Sequence, residues 1–141
     1  MQMYLVDTNV ISEARKRSKA NRGVRDFFRR VIQERTPVFL SVITVGELRR
    51  GVELIRHRGD SRQAERLEKW LEALLREYQD FILGIDQDIA QLWGCLRVPH
   101  PENALDKQIA ATALIHDLTV VTRNQADFRK TGVAVLNPFT A

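Results

Sequence analysis

Met3-Tyr4-Leu5-Val6-Asp7-Thr8-Asn9, near the start of the chain, joins a short apolar run to three polar residues. The apolar run has the length and residue types of a buried strand, and the polar residues are typical of a helix start, so a helix is predicted over Val10–Arg17. The same order returns further on, where Val38–Leu40 predicts a strand and Ser41 the cap of a helix that extends to about Arg58. Apolar strands that alternate with helices favour an α/β fold with a mainly parallel, helix-covered sheet.

The remainder of the chain continues this alternation. Helices are predicted over Asn21–Glu34, Asp60–Tyr78, Asp86–Arg97 and from Glu102 or Asn103 to His116, strands over Phe81–Leu83, Thr119–Thr122 and Val133–Leu136, and a turn over Asn124–Phe128. One face of the first of these helices is expected to be apolar, with Val24, Phe27, Phe28, Val31 and Ile32. The prolines of residues 98–101 exclude helix between the last two helices.

Composition excludes several classes of protein. The chain has 141 residues, of which 44% are apolar and 28% charged, as in a globular domain. No apolar run approaches the ~18 residues of a membrane span, and residues 1–6 lack the basic start of a signal peptide. The single cysteine, Cys95, cannot form an internal disulfide and is expected to be a small buried group, and three scattered histidines form no zinc set. The expected compartment is therefore the cytoplasm, with no membrane partner.

The positive charge is concentrated in one segment. Residues 12–35 contain nine Lys and Arg against three acids, whereas the remaining residues have a net charge of −2. Such a segment is either a solvated helix face or a contact surface for the phosphates of a nucleic acid. Its first cations are the candidate RNA-binding residues: Arg15, Lys16, Arg17, Lys19 and Arg22.

Four acids are predicted to meet at one edge of the sheet. Asp7 and Asp127 follow predicted strands, and Glu47 and Asp106 lie in early turns of the helices next to the same edge. Two carboxylates ~5 Å apart repel each other by roughly 3 kcal/mol at an effective dielectric constant of ~20. A cluster of four therefore needs raised pKa values or a divalent cation, and oxygen ligands without His or Cys favour Mg²⁺ or Mn²⁺ over zinc.

Each acid alone also has a structural interpretation. Asp7 is a suitable N-cap, Glu47 could pair with Arg49 or Arg50, Asp106 suits the positive end of a helix, and Asp127 suits a turn. Four such coincidences at one sheet edge are less probable than one shared site.

These acids lie within four longer segments of the chain. The segments are Tyr4-Leu5-Val6-Asp7-Thr8-Asn9-Val10-Ile11-Ser12-Glu13, Ser41-Val42-Ile43-Thr44-Val45-Gly46-Glu47-Leu48-Arg49-Arg50-Gly51, Asp106-Lys107-Gln108-Ile109-Ala110-Ala111-Thr112-Ala113 and Val121-Thr122-Arg123-Asn124-Gln125-Ala126-Asp127-Phe128. Together and in this order they resemble the PIN-domain ribonucleases of the VapC toxin type, close to the FitB-like branch. The resemblance covers essentially the whole chain and implies a single PIN domain of residues 1–141 with a PIN-like three-layer α/β/α sandwich.

The resemblance also implies a function. It implies a Mg²⁺- or Mn²⁺-dependent endoribonuclease, the toxin of a toxin–antitoxin pair, that cuts structured RNA such as transfer RNA. Asp7, Glu47, Asp106 and Asp127 take the positions of the catalytic and metal-binding acids, and two polar residues, Asn9 and Thr122, take supporting positions. The implied partners are an RNA substrate, a cognate antitoxin and a second copy of the chain, in a heterotetramer or larger assembly with the antitoxin.

Two alternatives of a different class stay open from the residues alone. One is a non-catalytic RNA-binding or regulatory PIN module, and the other is a phosphoryl-accepting signalling domain, which would need an acidic pair where the first strand leads to Asp7 alone. No glycine-rich phosphate loop is present. Lys107 could contact RNA or pair with a carboxylate. Trp70 and Trp93 are interpreted as structural, and no histidine is assigned a catalytic role.

Overall fold

The computed structural model describes residues 2–139, and its elements follow the predicted alternation. They are β1 (Tyr4–Val6), α1 (Thr8–Ala14), a 3-10 turn (Arg17–Lys19), α2 (Arg22–Gln33), β2 (Val38–Ser41), α3 (Val42–His57), α4 (Ser61–Glu77), β3 (Ile82–Leu83), α5 (Gln87–Leu96), α6 (Ala104–His116), β4 (Thr119–Val121), α7 (Gln125–Arg129) and β5 (Val135–Leu136). No helix among these residues is both long and apolar enough to cross a membrane.

The strands form one sheet in the order β3-β2-β1-β4-β5, and the four pairings between neighbours are parallel. The chain therefore builds the sheet outward from β1 in one direction as far as β3 and then crosses to the other side of β1 with β4. Such a reversal leaves a crevice beyond the carboxyl ends of β1 and β4, which is where ligands bind in open α/β sheets.

Side chains of the sheet alternate between two cores. In β1, Tyr4 and Val6 belong to one hydrophobic cluster with residues of α1–α4, whereas Leu5 belongs to the other with Ile109 and Ala110 of α6. Both faces of the sheet are covered, so β1 and β4 contain no exposed residue. This burial explains why their sequences are nearly continuous apolar runs. The result is the predicted α/β/α sandwich with a parallel central sheet.

Helix caps fix where several elements begin. Asp7, Ser41, Asp60 and Asp86 each accept a backbone N–H of the following helix through a side-chain oxygen. Two of these caps, Asp7 and Ser41, directly follow β1 and β2, so the strand ends and the helix starts lie at the same sheet edge.

Two sequence-based expectations about packing are wrong. The predicted turn over Asn124–Phe128 overlaps the short helix α7 (Gln125–Arg129), which is stabilised by the full burial of Phe128 in the second core. Ile32 is 74% exposed, since the predicted apolar face of α2 is wider than its contact with the core, which buries Val24, Phe27 and Val31.

Cys95 is also exposed, contrary to expectation. It lies on α5, which packs on α6 and buries only Ile89 fully. A helix with contacts on one side leaves the opposite side in water, and the sequence does not specify on which side Cys95 falls.

Candidate active site

Asp7 is the most deeply placed of the four acids, at 3% exposure. Its Oδ1 accepts the backbone N–H of Thr8 at 2.8 Å, and its Oδ2 accepts the Thr122 hydroxyl at 2.8 Å and the Asn9 amide at 3.2 Å. Burial raises the pKa of Asp7 above its ordinary value, and these donors oppose the increase without reversing it. The carboxylate is therefore fixed in position and costly to ionise.

Asn9 and Thr122 connect the ends of β1 and β4. Asn9 Oδ1 accepts the backbone N–H of Arg123 at 3.0 Å, and Thr122 Oγ1 accepts that of Asn124 at 3.0 Å. Both side chains thus bind Asp7 on one side and the segment after β4 on the other. The two predicted supporting residues lie where they can orient Asp7.

Glu47 is held by a neighbour on a different helix. The Thr8 hydroxyl of α1 donates to Glu47 Oε1 of α3 at 2.7 Å, and Thr44 Oγ1 lies 3.3 Å from the same hydroxyl. The alternative pairing with Arg49 does not occur, because Arg49 binds Glu53 and Glu68 instead. Glu47 is therefore directed toward the Asp7 end of α1.

Asp106 is half-buried in the first turn of α6 and interacts with the other three acids. Burial raises the pKa of Asp106 to about 6, with further increases from the charges of Asp7, Asp127 and Glu47. Asp127, in the first turn of α7, also raises the pKa of Asp7. We call these four acids the carboxylate cluster. The structure thus brings Asp106 within electrostatic range of the other three acids, and Asp7 within range of Asp127, at the crevice between β1 and β4.

The donor chemistry of the carboxylate cluster fits a hard divalent cation. It consists of carboxylate oxygens, and the charges of the other three acids add to the effect of burial in raising the pKa of Asp106. A bound cation would offset that repulsion. Within residues 2–139, however, no three His, Cys, Asp or Glu side chains are arranged closely enough to hold a metal ion as they stand. The carboxylate cluster therefore suits a divalent cation by the type and charge of its ligands, and not by their present spacing.

The chain is similar in sequence and in structure to known proteins. Residues 4–134 match the model of the PIN domain. The chain belongs to the PIN-domain family. It is 40% identical to toxin FitB of Neisseria gonorrhoeae, over 97% of this chain and 99% of that protein. It is 33% identical to VapC ribonuclease Y4jK of Sinorhizobium fredii, over 97% and 98% of the two chains. A solved structure of FitAB bound to an IR36 DNA fragment superposes with a TM-score of 0.84 at 36% identity, over 99% of this chain and 97% of that one.

The predicted RNA-binding cations of this PIN domain do not form one uniform surface. Lys16 pairs with Glu13 at 2.9 Å, and Arg22 lies 3.9 Å from Asp26. Arg15 instead lies over the ring of Trp70, at 6.0 Å from its centroid, and lines a cavity together with Thr8 and Glu47. Arg17 lines the adjoining cavity. Lys19 is exposed in the 3-10 turn. Of the five, Arg15 is the one placed beside the carboxylate cluster.

Lys107 has neither of the roles considered for it. It is 4% exposed, and its ammonium donates to the backbone carbonyl of His100. It therefore secures the segment before α6 from inside the protein and is not positioned to contact RNA. Trp93 is structural as expected, since its indole N–H donates to the Ala104 carbonyl at 2.9 Å.

Sequence reasoning missed two participants in this region. Thr8 was considered only as a capping residue, yet its hydroxyl is the donor to Glu47. Arg66, far from the basic segment in sequence, lies beside Arg15 and Arg17 in the wall of one cavity. A polar residue directly after the strand-end acid was a signal for Thr8, whereas nothing local distinguishes Arg66 from the other arginines of α4.

Proposed function

We propose that this protein is a Mg²⁺- or Mn²⁺-dependent endoribonuclease of a single PIN domain, residues 1–141, and the toxin of a toxin–antitoxin pair. The observation that carries the proposal is the electrostatically coupled carboxylate cluster at the sheet crevice. PIN domains and VapC relatives are generally nucleases, which agrees with this chemistry. The proposed substrate is structured RNA, with transfer RNA as the first class to test, and the proposed compartment is the cytoplasm.

The acids have distinct proposed roles. Asp7 and Asp106 would hold the cation, and Glu47 and Asp127 would complete its ligation. The chemistry that the cation supplies when bound is neutralisation of phosphate charge and a lower pKa for an attacking water. Asn9 and Thr122 keep Asp7 oriented, and Thr8 keeps Glu47 directed toward it.

In-line attack of water on a phosphodiester breaks the bond to the 3′ oxygen and leaves a 5′-phosphate and a 3′-hydroxyl. No 2′-hydroxyl nucleophile takes part, so no cyclic phosphate forms. Among the residues that the structure describes, His57 and His116 lie at the far ends of the helices that contain Glu47 and Asp106, about 15 Å along the helix axis from each acid, and His100 is exposed and lies 3.6 Å from Glu102. None of the three is placed to act as the acid or base of the alternative reaction.

An antitoxin partner is part of the proposal. The relative from Neisseria gonorrhoeae is named as a toxin, and other solved structures of this fold are of toxin–antitoxin complexes. We extend this to a cognate antitoxin for the present chain, with a homodimer of the PIN domain in a heterotetramer or larger assembly.

The test separates catalysis from binding. Purified protein and its Glu47→Gln variant are incubated with cellular RNA and Mg²⁺, and the product ends and the affinity for RNA are measured. Glu72→Gln, an exposed acid of α4, is the matched control. We expect the parent and the control to leave 5′-phosphates, and the Glu47→Gln variant to bind RNA but cut it at least about 100-fold more slowly.

Two results would contradict the proposal. Products ending in 2′,3′-cyclic phosphate exclude hydrolysis by water. RNA binding by all three proteins without any cleavage supports the second candidate, a non-catalytic RNA-binding module.

A further inference from the structure

Two cavities adjoin beside the carboxylate cluster and share a wall. The smaller, of about 170 Å³, is lined by Thr8 and Glu47 at one end and by Arg15, Leu67 and Trp70 at the other. The larger, of about 470 Å³, is lined by Arg15, Arg17, Gln63, Arg66, Leu67 and Trp70. Because Arg15, Leu67 and Trp70 line both, the two cavities adjoin, and together they extend from Glu47 to a space large enough for a ligand.

Trp70 separates the protein core from these two cavities. Its ring packs against the first hydrophobic cluster, yet the side chain is only partly buried and lines both cavities. The guanidinium of Arg15 lies 6.0 Å from the ring centroid. A partly exposed indole in a cavity wall, with a mobile guanidinium beside it, is a suitable platform for stacking a nucleobase.

The larger cavity has a strongly positive wall. Arg15, Arg17 and Arg66 are exposed and line it, and no acidic residue does so within the described part of the chain. Arg66 is oriented by a hydrogen bond of 2.7 Å to Gln63, one turn earlier on α4. Three guanidinium groups and an aromatic ring in the wall of one cavity combine phosphate contacts with base stacking, the combination found in single-strand binding grooves.

From this arrangement we propose a nucleotide subsite in which a base of single-stranded RNA stacks on Trp70 while the adjacent phosphates bind Arg15, Arg17 and Arg66. The inference rests on the proposed function, because it places this nucleotide on the same strand as the phosphate at the carboxylate cluster. It assigns Trp70 a substrate-binding role in addition to its structural one. It also extends the RNA contact surface from α1 and the 3-10 turn to α4.

An acidic peptide would also be attracted to the three arginines, but the aromatic ring beside them favours RNA. Of the four acids, Glu47 lines the smaller cavity, and the three arginines line the larger one. Both ligands are anionic, so the carboxylates do not distinguish them. The indole of Trp70 does, because each base of a single strand has a face that can stack on it, whereas acidic side chains have none.

The test uses binding without cleavage, in EDTA. The probes are a fluorescein-labelled oligouridine of about eight nucleotides and the same oligomer with abasic sugars, followed by anisotropy. The Trp70→Ala variant is expected to lose about tenfold in affinity for oligouridine and to bind the abasic oligomer as the parent does. Trp70→Phe should recover most of the loss, because it restores an aromatic face.

The arginines are tested in parallel. The Arg66→Ala variant, at an exposed position that should not affect folding, is expected to lose about threefold or more in affinity for both oligomers. Arg62→Ala, one turn earlier on the same helix and outside the cavity wall, is the matched control and should bind both oligomers as the parent does.

Several results would overturn the subsite. One is that Trp70→Ala and Arg66→Ala both bind oligouridine as tightly as the parent. Another is that Trp70→Ala loses the same affinity for the two oligomers. Absence of any RNA binding, or displacement of both oligomers by an acidic peptide of equal charge, would also overturn it. The proposed function is tested separately, by RNA cleavage. If RNA is bound with the expected pattern but is not cut, the subsite is supported and the nuclease activity is contradicted.

Discussion

At the residue scale, the best-defined feature is the group of donors around the Asp7 carboxylate. Thr8, Asn9 and Thr122 together supply three hydrogen bonds to a side chain that is almost completely buried. A buried carboxylate is tolerated when its oxygens accept donors, and removing one donor leaves an unsatisfied group in a region without water.

The Thr122→Val variant should therefore be less stable than the parent. It removes the 2.8 Å hydrogen bond to Asp7 and leaves the shape of a fully buried side chain nearly unchanged. We expect a loss of about 1–3 kcal/mol in the free energy of unfolding, measured by urea denaturation at pH 7. Thr122→Ser retains the hydroxyl and is the control. Equal stability of Thr122→Val and the parent would show that this hydrogen bond does not support Asp7.

Asp106 should make the metal-free protein sensitive to pH. Because the pKa of Asp106 is raised to about 6 in the folded chain, the folded state binds its proton more tightly than the unfolded state. The resulting contribution to stability is favourable at low pH, relative to high pH, and is lost as pH rises from about 4 to about 6.

In EDTA, the free energy of unfolding of Asp106→Asn, relative to that of the parent, should therefore be higher at pH 7.5 than at pH 4. We expect this difference to be about 1–2 kcal/mol after allowance for screening by solvent. Denaturation of both proteins at pH 4 and 7.5 measures this. Asp88→Asn, in the first turn of α5, is the control. If the difference in stability between Asp106→Asn and the parent does not change with pH, the raised pKa of Asp106 is contradicted.

At the element scale, the connection between α3 and α4 shows how the chain sets the helices beside the site. The N–H of Gly59 donates to the Arg56 carbonyl at 3.0 Å, and that of Asp60 donates to the Ile55 carbonyl at 3.3 Å, which closes α3 with a Schellman motif. Gly59 has φ +91°, a conformation that side-chain-bearing residues rarely adopt, and Asp60 then caps α4.

Gly59→Ala and Gly51→Ala should have opposite effects. No atom would obstruct a Cβ at either position, so the backbone conformation decides. Gly59→Ala is expected to lower the free energy of unfolding by about 1 kcal/mol, because of its positive φ. Gly51→Ala, within α3, is expected to raise it by about 0.5–1 kcal/mol. Thermal or urea denaturation of both variants tests this, and a stabilising Gly59→Ala would refute the role of the turn.

The sequence predicts those parts of the fold that depend on local signals. Strand β1, the Ser41 cap and the limits of α4 follow from apolar runs and capping residues, and the structure confirms them. Helix α7 was not predicted, because Phe128 stabilises it through the second core. The exposure of Ile32 and of Cys95 depends on which part of a helix face meets the sheet, and this is decided by tertiary packing.

For the candidate site, too, some features follow from the local sequence and others depend on tertiary packing. The order of strands and acids along the chain predicts that the four carboxylates meet, because parallel strands end at one edge. The hydrogen bond from Thr8 to Glu47 and the place of Arg66 beside Arg15 join residues that are distant in sequence. Such contacts require the relative placement of whole helices, which no local pattern specifies.

At the scale of the whole molecule, negative and positive charge are separated along one surface. The carboxylate cluster lies at the crevice, and Arg15, Arg17 and Arg66 line the adjoining cavity. This arrangement suits a polyanion that is bound along its length by cations and cut where acids can hold a divalent ion.

RNA binding should therefore depend steeply on salt. With about three phosphate contacts on single-stranded RNA, affinity is expected to fall by about tenfold to thirtyfold between 50 and 200 mM salt. Anisotropy with oligouridine in EDTA measures the slope. Arg66→Ala should make it shallower, whereas Arg62→Ala should not change it. An affinity that is independent of salt would exclude phosphate contact by the basic segment.

Cleavage of cellular RNA by the purified chain tests most directly whether the carboxylate cluster makes this PIN domain the proposed metal-dependent ribonuclease. The reaction is run with Mg²⁺ or Mn²⁺, with EDTA, and with the Asp106→Asn and Asp88→Asn variants. We expect the parent and Asp88→Asn to cut RNA with either cation, and EDTA or Asp106→Asn to abolish cutting. Cleavage that persists in EDTA, or in Asp106→Asn at the parent's rate, would contradict the claim.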